Sequence, residues 1–254
     1  YLNDIQIYPN IEFYIFTSCF FLLGYYDDKC HLNANTKLIL SLLIVSGLMY
    51  LDYNLVLTHL YLSFNYNNYP LFYFSYPVTI LCILLFVNAL NMFDGMNLQS
   101  GTYSLIIFII LLSSNVFNLL SVVMIIGILF FLIINFNGRI FFGDSGTLML
   151  GSIISYIFIS DYNTVRNFSV EEIFLIMYLP GLDLLRVAMY RIINKRHPFS
   201  PDRQHIHHYL LNKYSSRISL AVLMILSFFP YFLNRIFEKP YTIIISTILV
   251  YILL

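Results

Sequence analysis

The chain has 254 residues, of which 59% are hydrophobic and 10% charged, and its mean hydropathy is +0.78. Because soluble domains carry about 25% charged residues, this composition excludes an ordinary soluble domain. A formal net charge of zero gives no basic surface for a nucleic-acid partner. The apolar runs are continuous rather than alternating, which excludes the strands of a membrane barrel and predicts an all-α, polytopic integral membrane helical bundle.

Nine hydrophobic segments are predicted to enter or cross the bilayer. They are 11–26, 37–52, 71–90, 101–114, 116–136, 145–160, 170–190, 217–234 and 240–254. The stretch 53–69 has mixed periodicity and is compatible with an interfacial helix or with a hairpin. Since the sequence shows no internal repeat and no low-complexity linker, residues 1–254 are predicted to form a single transmembrane domain.

The connecting stretches divide between the two faces of the membrane. Because each crossing changes sides, counting places four of them on one face, namely 27–37, 88–101, 135–144 and 191–217. Most Lys and Arg residues belong to that face, and only Arg166, Arg235 and Lys239 lie on the other. The positive-inside rule therefore predicts that the face with the four stretches is cytoplasmic.

Six aspartates fall at this face or just below it, and they are Asp27, Asp28, Asp94, Asp144, Asp183 and Asp202. Ionisable groups at membrane depth are costly, so they indicate a functional site. Helix capping explains any one of these aspartates, but not six on the same face. The grouping predicts a site for a metal ion or a phosphate.

The first stretch contains adjacent carboxylates at Asp27 and Asp28. Two neighbouring negative charges repel each other, and a divalent cation or a nearby base relieves that repulsion. Mg²⁺ suits such a position because it prefers oxygen ligands and shares substrate phosphates. Lys37, which opens the next helix, could hold a phosphate as a point charge.

The second stretch contains Asn88, Asn91 and Asp94, which recur every three residues before Gly95. At the end of a helix this spacing presents all three side chains on one face. The pattern predicts a polar rim of a site, and the alternative is that the asparagines form hydrogen bonds between helices.

The third stretch places Asp144 between Gly143 and Gly146 at the mouth of an apolar helix. Backbone N–H groups and a carboxylate could there approach a metal ion and a phosphate together. The alternative is a simple helix start that is capped by Asp144 or Ser145.

The fourth stretch, HPFSPDRQHIHHYL, runs from His197 to Leu210 and includes His205, His207 and His208. Arg203 offers a two-pronged donor for phosphate, and the imidazoles can donate to phosphate or sugar oxygens. His205 and His208 also have a spacing that zinc ligands use, although neither a cysteine nor a His-Glu pair accompanies them.

Together the stretches resemble the polyprenyl-phosphate N-acetylhexosamine-1-phosphate transferase family, in its WecA/TagO-like branch of glycosyltransferase family 4, which is related to MraY. The resemblance covers nearly the whole chain. The matching features, in order, are Asp27-Asp28 with Leu32 and Lys37, Asn88-x-x-Asn91-x-x-Asp94-Gly95, Gly143-Asp144-Ser145-Gly146, Asp183 with Arg186, and PFSPDRQHIHH from Pro198 to His208. The last string is the most specific of them.

The resemblance implies a membrane enzyme whose active site lies on its cytoplasmic loops. It would transfer an N-acetylhexosamine 1-phosphate from a UDP-sugar, expected to be UDP-GlcNAc, to undecaprenyl phosphate, and it would release UMP. This reaction starts the synthesis of a cell-envelope polysaccharide at the bacterial inner membrane. The implied cofactor is Mg²⁺, with Mn²⁺ as an alternative, the implied partners are the UDP-sugar, the polyprenyl phosphate and membrane lipid, and a homodimer is left open.

The resemblance also implies roles for individual residues. Asp27, Asp28, Asp94 and Asp144 are expected to be catalytic, with Asp144 as the principal metal ligand and Asn91 and Asp28 as its partners. Asp27 is expected to accept the proton of the lipid phosphate or to position that phosphate, and Asp94 to orient the metal ligands or contact the nucleotide. The side chains expected to bind the phosphates and the sugar are Lys37, Asn88, Arg203, His205, His207 and His208.

Two departures from the family pattern are visible. Asn97 and Leu98 stand where the family usually has a second Asp-Gly, so one negative charge is lost at position 97. The family also has about two further helices before the Asp27-Asp28 segment, and the chain is expected to lack them. The competing interpretations are a membrane transporter, which would place ionisable groups at helix midpoints and on both faces, and a zinc-dependent membrane hydrolase built on the histidines.

Overall fold

The computed structural model describes residues 9–63, 68–198 and 203–253. Within these ranges the chain forms ten α-helices: α1 Ile11–Cys30, α2 Ala34–Leu51, α3 Ser75–Phe93, α4 Gln99–Ser113, α5 Asn118–Asn135, α6 Gly143–Thr164, α7 Val170–Ile193, α8 Ile206–Lys213, α9 Ser216–Phe237 and α10 Pro240–Leu253. Two short strands, β1 His59–Tyr61 and β2 Asn68–Pro70, pair antiparallel with His59 opposite Pro70. Short 3-10 turns occupy Tyr53–Leu55 and Phe72–Phe74.

The prediction of an all-α, polytopic membrane protein is confirmed. Each of the nine hydrophobic segments coincides with one of the helices α1–α7, α9 and α10. Among the described residues, five helices are long and apolar enough to cross a bilayer, namely α2, α3 with the turn before it, α5, α7 and α9. Helices α4 and α10 are apolar but shorter than a full span, so the number of nine crossings stays a prediction.

Two connections gain a definite structure. The stretch 53–69 forms the hairpin of β1 and β2 rather than an interfacial helix, although residues 64–67 lie outside the described part. The stretch 191–217 contains the short helix α8, which the hydropathy pattern does not predict because this helix is polar. Asp202 also lies outside the described residues.

Helix α6 is the centre of the bundle and packs against α1 and α3. The face that α1 buries includes Phe13, Phe16, Phe20 and Leu23, a helical spacing, and it continues to Gly24. A Cβ atom at Gly24 would overlap the backbone of Asp144, so the two helices approach each other backbone to backbone. On the other side, a Cβ at Gly151 would lie 2.9 Å from Cα of Val87 on α3. Small residues at such crossings are how helices pack closely in a bilayer.

A second group of helices surrounds α7, which packs against α3, α9 and α10. Hydroxyl groups are satisfied across the interfaces of α7. The buried Tyr103 hydroxyl of α4 donates to the Ile176 carbonyl of α7 at 2.8 Å, and the Tyr178 hydroxyl of α7 donates to the Leu226 carbonyl of α9. Because a bilayer offers no water to an unsatisfied group, these hydrogen bonds fix how α4, α7 and α9 meet.

The outer surface of the bundle is apolar. On α5, for example, Leu119, Ile126, Phe130 and Ile133 are all more than 60% exposed. A soluble monomer rarely displays an apolar area of this kind, whereas lipid tails cover it without cost. The surface therefore agrees with the membrane class that composition predicts.

We expect Gly24→Ala to lower the unfolding temperature of the detergent-solubilised protein, because the added methyl group forces α1 away from α6. Overpacking costs about 1–3 kcal/mol, which exceeds the roughly 0.5–1 kcal/mol that alanine gains over glycine inside a helix. Gly47→Ala is the matched control, since a Cβ there meets no atom within 4 Å, and it should leave the unfolding temperature unchanged or raise it. Equal unfolding temperatures for the two variants would contradict the close helix contact.

Candidate active site

The ends of α1, α2 and α6 bring two carboxylates and one ammonium group together. Asp27 lies in the last turn of α1, and its Oδ2 is 2.8 Å from Nζ of Lys37 in the first turn of α2. The same Nζ also forms an ion pair with Oδ2 of Asp144, in the first turn of α6. The three side chains are partly buried, with exposed fractions of 14% for Lys37, 10% for Asp27 and 33% for Asp144. One cation therefore holds two carboxylates from different helices.

Asp28 has a different environment from its neighbour Asp27. Its Oδ1 accepts the backbone N–H of Asp144 at 2.8 Å, and its Oδ2 accepts that of Ser145 at 3.0 Å. These amides belong to the open first turn of α6, where a negative charge is favourable. Gly143 permits the approach, since it has a positive φ of 60° and a Cβ there would lie 2.8 Å from Oδ2 of Asp28.

The cap of α6 differs from the alternative that the sequence suggested. The helix does not begin with Asp144 or Ser145 as its cap, because Phe142 holds the N-cap position and makes no side-chain cap bond within the described part of the chain. Asp28 of α1 supplies the carboxylate instead. Sequence reasoning missed this because capping residues are normally sought next to the helix start, not 116 positions away.

Asn91 completes the cluster around Asp144. Its Nδ2 donates to Oδ1 of Asp144 at 2.9 Å and to Oγ1 of Thr147 at 2.7 Å. Asn88, one turn earlier on α3, instead donates to the carbonyl of Leu84 at 2.7 Å, within its own helix. Of the residues expected to share one face of α3, Asn91 contacts Asp144 and Asn88 does not. Thr147 also belongs to the cluster, although the sequence did not indicate it.

Asp94 follows the last residue of α3 and accepts a hydrogen bond from the hydroxyl of Ser100 on α4. Burial raises the pKa of Asp94, the negative charge of Asp144 raises it further, and the Ser100 hydroxyl lowers it. The electrostatic effect of Asp144 shows that Asp94 lies near the same cluster. A carboxyl in this environment holds a proton more readily than an exposed aspartate does.

The segment after Asp94 is tied to the loop before α6. Leu98 adopts a positive φ of 70°, and its backbone N–H donates to Oδ1 of Asn135 at 2.7 Å. Nδ2 of Asn135 in turn donates to the carbonyl of Ile140 at 2.6 Å. Asn135 is almost fully buried at the end of the apolar α5, and that position was its only sequence signal. The loop that contains position 97 is therefore held in place by the hydrogen bonds of Asn135, even without the family's second aspartate.

His205 is held by Asp183 of α7. Its Nδ1 lies 2.7 Å from Oδ2 of Asp183, and both side chains are buried. Since an ionised carboxylate only accepts, Nδ1 carries the proton and Nε2 is the nitrogen that remains for another partner. Arg203, expected to bind phosphate, lies exposed two residues earlier.

The rings of His207 and His208 lie against each other at the same corner, with centroids 4.2 Å apart and planes tilted by 51°. The His207 ring is 2% exposed and lies directly on Gly95, where any Cβ atom would overlap it. Its Nδ1 has no hydrogen-bond partner in the described part of the chain. Burial, together with the charges of His208 and His205, lowers the pKa of His207 to about 4. His207 is thus a neutral contact between α8 and the Asp94-Gly95 turn, a position that gives it little access to substrate.

The structure brings most of the predicted residues to one end of the bundle. Asp27, Lys37, Asn91 and Asp144 form direct contacts, and α8 joins them through His207 and Gly95. In residues 9–63, 68–198 and 203–253 there is no group of three or more His, Cys, Asp or Glu side chains that could hold a metal ion. The oxygens of Asp144, Asp27 and Asn91 could serve a cation that also takes ligands from a substrate.

Comparisons with known proteins agree with the geometry. The sequence profile described as Glycosyl transferase family 4 matches residues 11–161, which include the whole cluster around Asp144. The chain is 32% identical over 242 residues to the probable undecaprenyl-phosphate N-acetylglucosaminyl 1-phosphate transferase of Bacillus subtilis, and the match covers 92% of this chain and 67% of that protein.

Two relatives named undecaprenyl-phosphate alpha-N-acetylglucosaminyl 1-phosphate transferase are more distant. The Thermotoga maritima protein is 27% identical over 244 residues, which are 95% of this chain and 75% of that protein. The Yersinia pestis protein is 27% identical over 215 residues, 79% of this chain and 59% of that protein. The chain thus spans about two thirds of the length of these curated relatives. From the profile match and the Bacillus relative, the chain belongs to glycosyl transferase family 4.

Proposed function

We propose that the protein transfers N-acetylglucosamine 1-phosphate from UDP-GlcNAc to undecaprenyl phosphate, forming a diphosphate-linked sugar lipid and UMP at the cytoplasmic face of a bacterial inner membrane. The observation that carries the proposal is the contact of Asp27, Lys37, Asn91 and Asp144 at the helix ends. Curated relatives are named for transfer of N-acetylglucosaminyl 1-phosphate to undecaprenyl phosphate. The UDP-linked donor, UMP and the start of an envelope polysaccharide follow from the family resemblance.

The position of the cluster suits a lipid acceptor. It lies where α1 and α3 end and α2 and α6 begin, so a phosphate at headgroup depth can reach it while the isoprenoid tail stays among the apolar outer faces. The donor diphosphate must approach from water on the same side. The reaction therefore needs a partly buried site at a helix end, and the exposed fractions of 10–33% in the cluster meet that need.

The donor set is compatible with Mg²⁺ or Mn²⁺. Asp144 and Asp27 each direct one carboxylate oxygen at the Lys37 ammonium, and the amide of Asn91 contacts Asp144. Hard cations of this size are held by one or two carboxylates and by substrate phosphates. Such an ion would offset the repulsion between the two phosphates and the charge on the departing UMP. Both oxygens of Asp28 accept backbone amides of α6, so we assign it to positioning Asp144. We assign metal binding to Asp144 and Asn91 and keep Asp27, whose oxygens face Lys37 and the N–H of Leu32, for the proton of the lipid phosphate.

In the net reaction one oxygen of the lipid phosphate bonds to the sugar-bearing phosphorus of the donor. The bond from that phosphorus to the bridging oxygen breaks, and its electron pair leaves with UMP. A proton on the attacking phosphate must move to a base, and Asp27 is suited to it because the ion pair with Lys37 keeps Asp27 a carboxylate. Lys37 then remains beside the phosphates as a positive charge. We assign Asp94, which lies near Asp144 and has a raised pKa, to contacting the nucleotide or orienting the metal ligands.

The two competing interpretations predict other arrangements. A transporter needs ionisable groups along a path through the bilayer, whereas this cluster lies at one end of the bundle. A zinc hydrolase needs three protein ligands around one ion, and the described residues do not provide them. Asp183 instead holds Nδ1 of His205, and the ring of His207 packs on Gly95. The histidine segment is then best explained as a support for binding of the donor.

We expect membranes that contain the protein to convert labelled UDP-GlcNAc and undecaprenyl phosphate into a labelled lipid and UMP when Mg²⁺ is supplied. Added UMP should drive the reaction backwards, because the diphosphate bond that forms is similar in energy to the one that breaks. Membranes without the protein serve as the control. If no UDP-linked N-acetylhexosamine gives a labelled lipid under these conditions, the proposed function is wrong.

We expect Asp144→Asn to lose more than about 100-fold in kcat/KM while its unfolding temperature stays that of the parent, because even a residue that only supports a metal ligand is worth about 10- to 100-fold. Asp28→Asn should instead lower the unfolding temperature, since loss of a helix cap costs about 0.5–2 kcal/mol. Glu238→Gln, an exposed carboxylate at another site, is the control and should change neither quantity. Full activity in Asp144→Asn would place the metal elsewhere.

We expect acid to destabilise the protein through His207. Its pKa is about 4 in the folded protein, below its ordinary value of 6.5, so the stability it contributes is present above pH 6.5 and is lost as the pH falls from there towards 4. Between pH 7 and pH 5 the loss should be about 2 kcal/mol. His207→Asn should show a shallower fall of the unfolding temperature over this range, whereas the exposed-site control His31→Asn should keep the parental slope. Identical slopes in all three proteins would show that His207 is not buried in neutral form.

A further inference from the structure

Asp183 is a buried carboxylate on which three helices converge. It is 2% exposed on α7, and its two oxygens accept four hydrogen bonds. Oδ1 accepts from Nη2 of Arg186 at 2.7 Å, from the hydroxyl of Tyr251 at 3.0 Å and from the backbone N–H of Ile206 at 3.1 Å. Oδ2 accepts from Nδ1 of His205 at 2.7 Å. The carboxylate thus joins α7, α8 and α10.

The contacts of Asp183 determine where the histidine segment lies. Ile206 is the first residue of α8, and His205, which holds the N-cap position, makes no side-chain cap bond within the described residues. Asp183 therefore satisfies an amide of the first turn of α8 and orients the His205 ring at the same time. A small movement of Asp183 would shift both the helix and the imidazole.

Tyr251 controls that carboxylate from the last turns of α10. Its hydroxyl accepts from Nε of Arg186 at 2.8 Å and donates to Oδ1 of Asp183 at 3.0 Å. A guanidinium can only donate and a carboxylate can only accept, so the hydroxyl is suited to stand between them because it does both. Arg186 also donates to the carbonyl of Gln204, directly before His205. Tyr251 is thus hydrogen-bonded to both side chains that hold the start of α8.

We propose that Tyr251 is a positioning residue that acts through Asp183 and Arg186 on His205 and α8, and that α10 thereby sets the affinity for the sugar nucleotide. The effect on affinity rests on the proposed function, in which the histidine segment supports binding of the donor. The effect on α8 does not rest on it. Tyr251→Phe removes one oxygen atom and leaves the ring, so it separates the hydrogen bonds from the packing of α10.

The first test needs no enzymatic activity. Hydrogen–deuterium exchange of the detergent-solubilised protein, measured by mass spectrometry on the peptide that covers 203–213, should be about tenfold faster in Tyr251→Phe, because a hydrogen bond to a charged group is lost. The matched control is Tyr241→Phe, which removes a hydroxyl of the same helix that donates to Glu171 at 2.7 Å near the other end. This control should exchange like the parent in 203–213. Parental exchange in Tyr251→Phe would overturn the proposal even if the enzyme proves inactive.

The second test separates positioning from general stability. In Tyr251→Phe the KM for UDP-GlcNAc should rise about tenfold, while the KM for undecaprenyl phosphate and kcat stay within about twofold. A merely structural role would instead lower the amount of active enzyme and leave both KM values unchanged. In a double-mutant cycle, Tyr251→Phe should add nothing to the effect of His205→Ala, because it acts through His205. Additive effects, or an equal rise of both KM values, would contradict the proposal.

Discussion

The close approach of α1 and α6 is the constraint on which the site depends. Gly24 lets the two backbones touch, and this contact sets the height at which the last turn of α1 meets the first turn of α6. Only at that height can Asp28 reach the amides of Asp144 and Ser145. The same register brings the carboxylates of Asp27 and Asp144 to the Lys37 ammonium. The close packing of α1 on α6 at Gly24 thus determines where the charged side chains meet.

Besides Asp144, four carboxylates at this end of the bundle are compensated by different kinds of donor. Asp27 faces an ammonium, Asp28 faces helix amides, Asp94 faces a hydroxyl, and Asp183 combines a guanidinium with an imidazole, a phenol and an amide. Buried charges are tolerated only when such partners are in place. The differences matter chemically, because the environment of Asp94 favours a proton on its carboxyl, whereas the contacts of Asp27 favour the ionised form.

The helices could be predicted from the sequence because their signal is local. An apolar run of sufficient length predicts a helix wherever it lies, and α5 is the clearest case. The residues around Asp144 were also predictable, since family motifs mark Asp27, Lys37 and Asn91. The sequence could not show that neighbouring polar residues have different partners. Asp27 and Asp28 are one example, and Asn88, whose side chain bonds to a carbonyl of its own helix, is another. Those outcomes depend on which backbone stands opposite, and that is decided by tertiary packing.

The same limit explains Thr147, Asn135 and Tyr251. Each lies at the end of an apolar run, where a polar residue is common and carries no specific meaning. Their partners Asn91, Leu98 and Asp183 are between 37 and 68 positions away in the chain. A hydrogen bond across such a distance becomes visible only when the helices are assembled.

The cap of α6 has a consequence for how the chain assembles in the membrane. Because the amides of Asp144 and Ser145 are satisfied by Asp28 rather than by a neighbour in sequence, the first turn of α6 gains this cap only when it meets α1. A ribosome makes α1 first, so the carboxylate is already at the bilayer surface when Gly143 emerges. The order of synthesis therefore matches the order in which the bonds can form, and the end of α6 that carries Asp144 takes shape as part of helix assembly rather than after it.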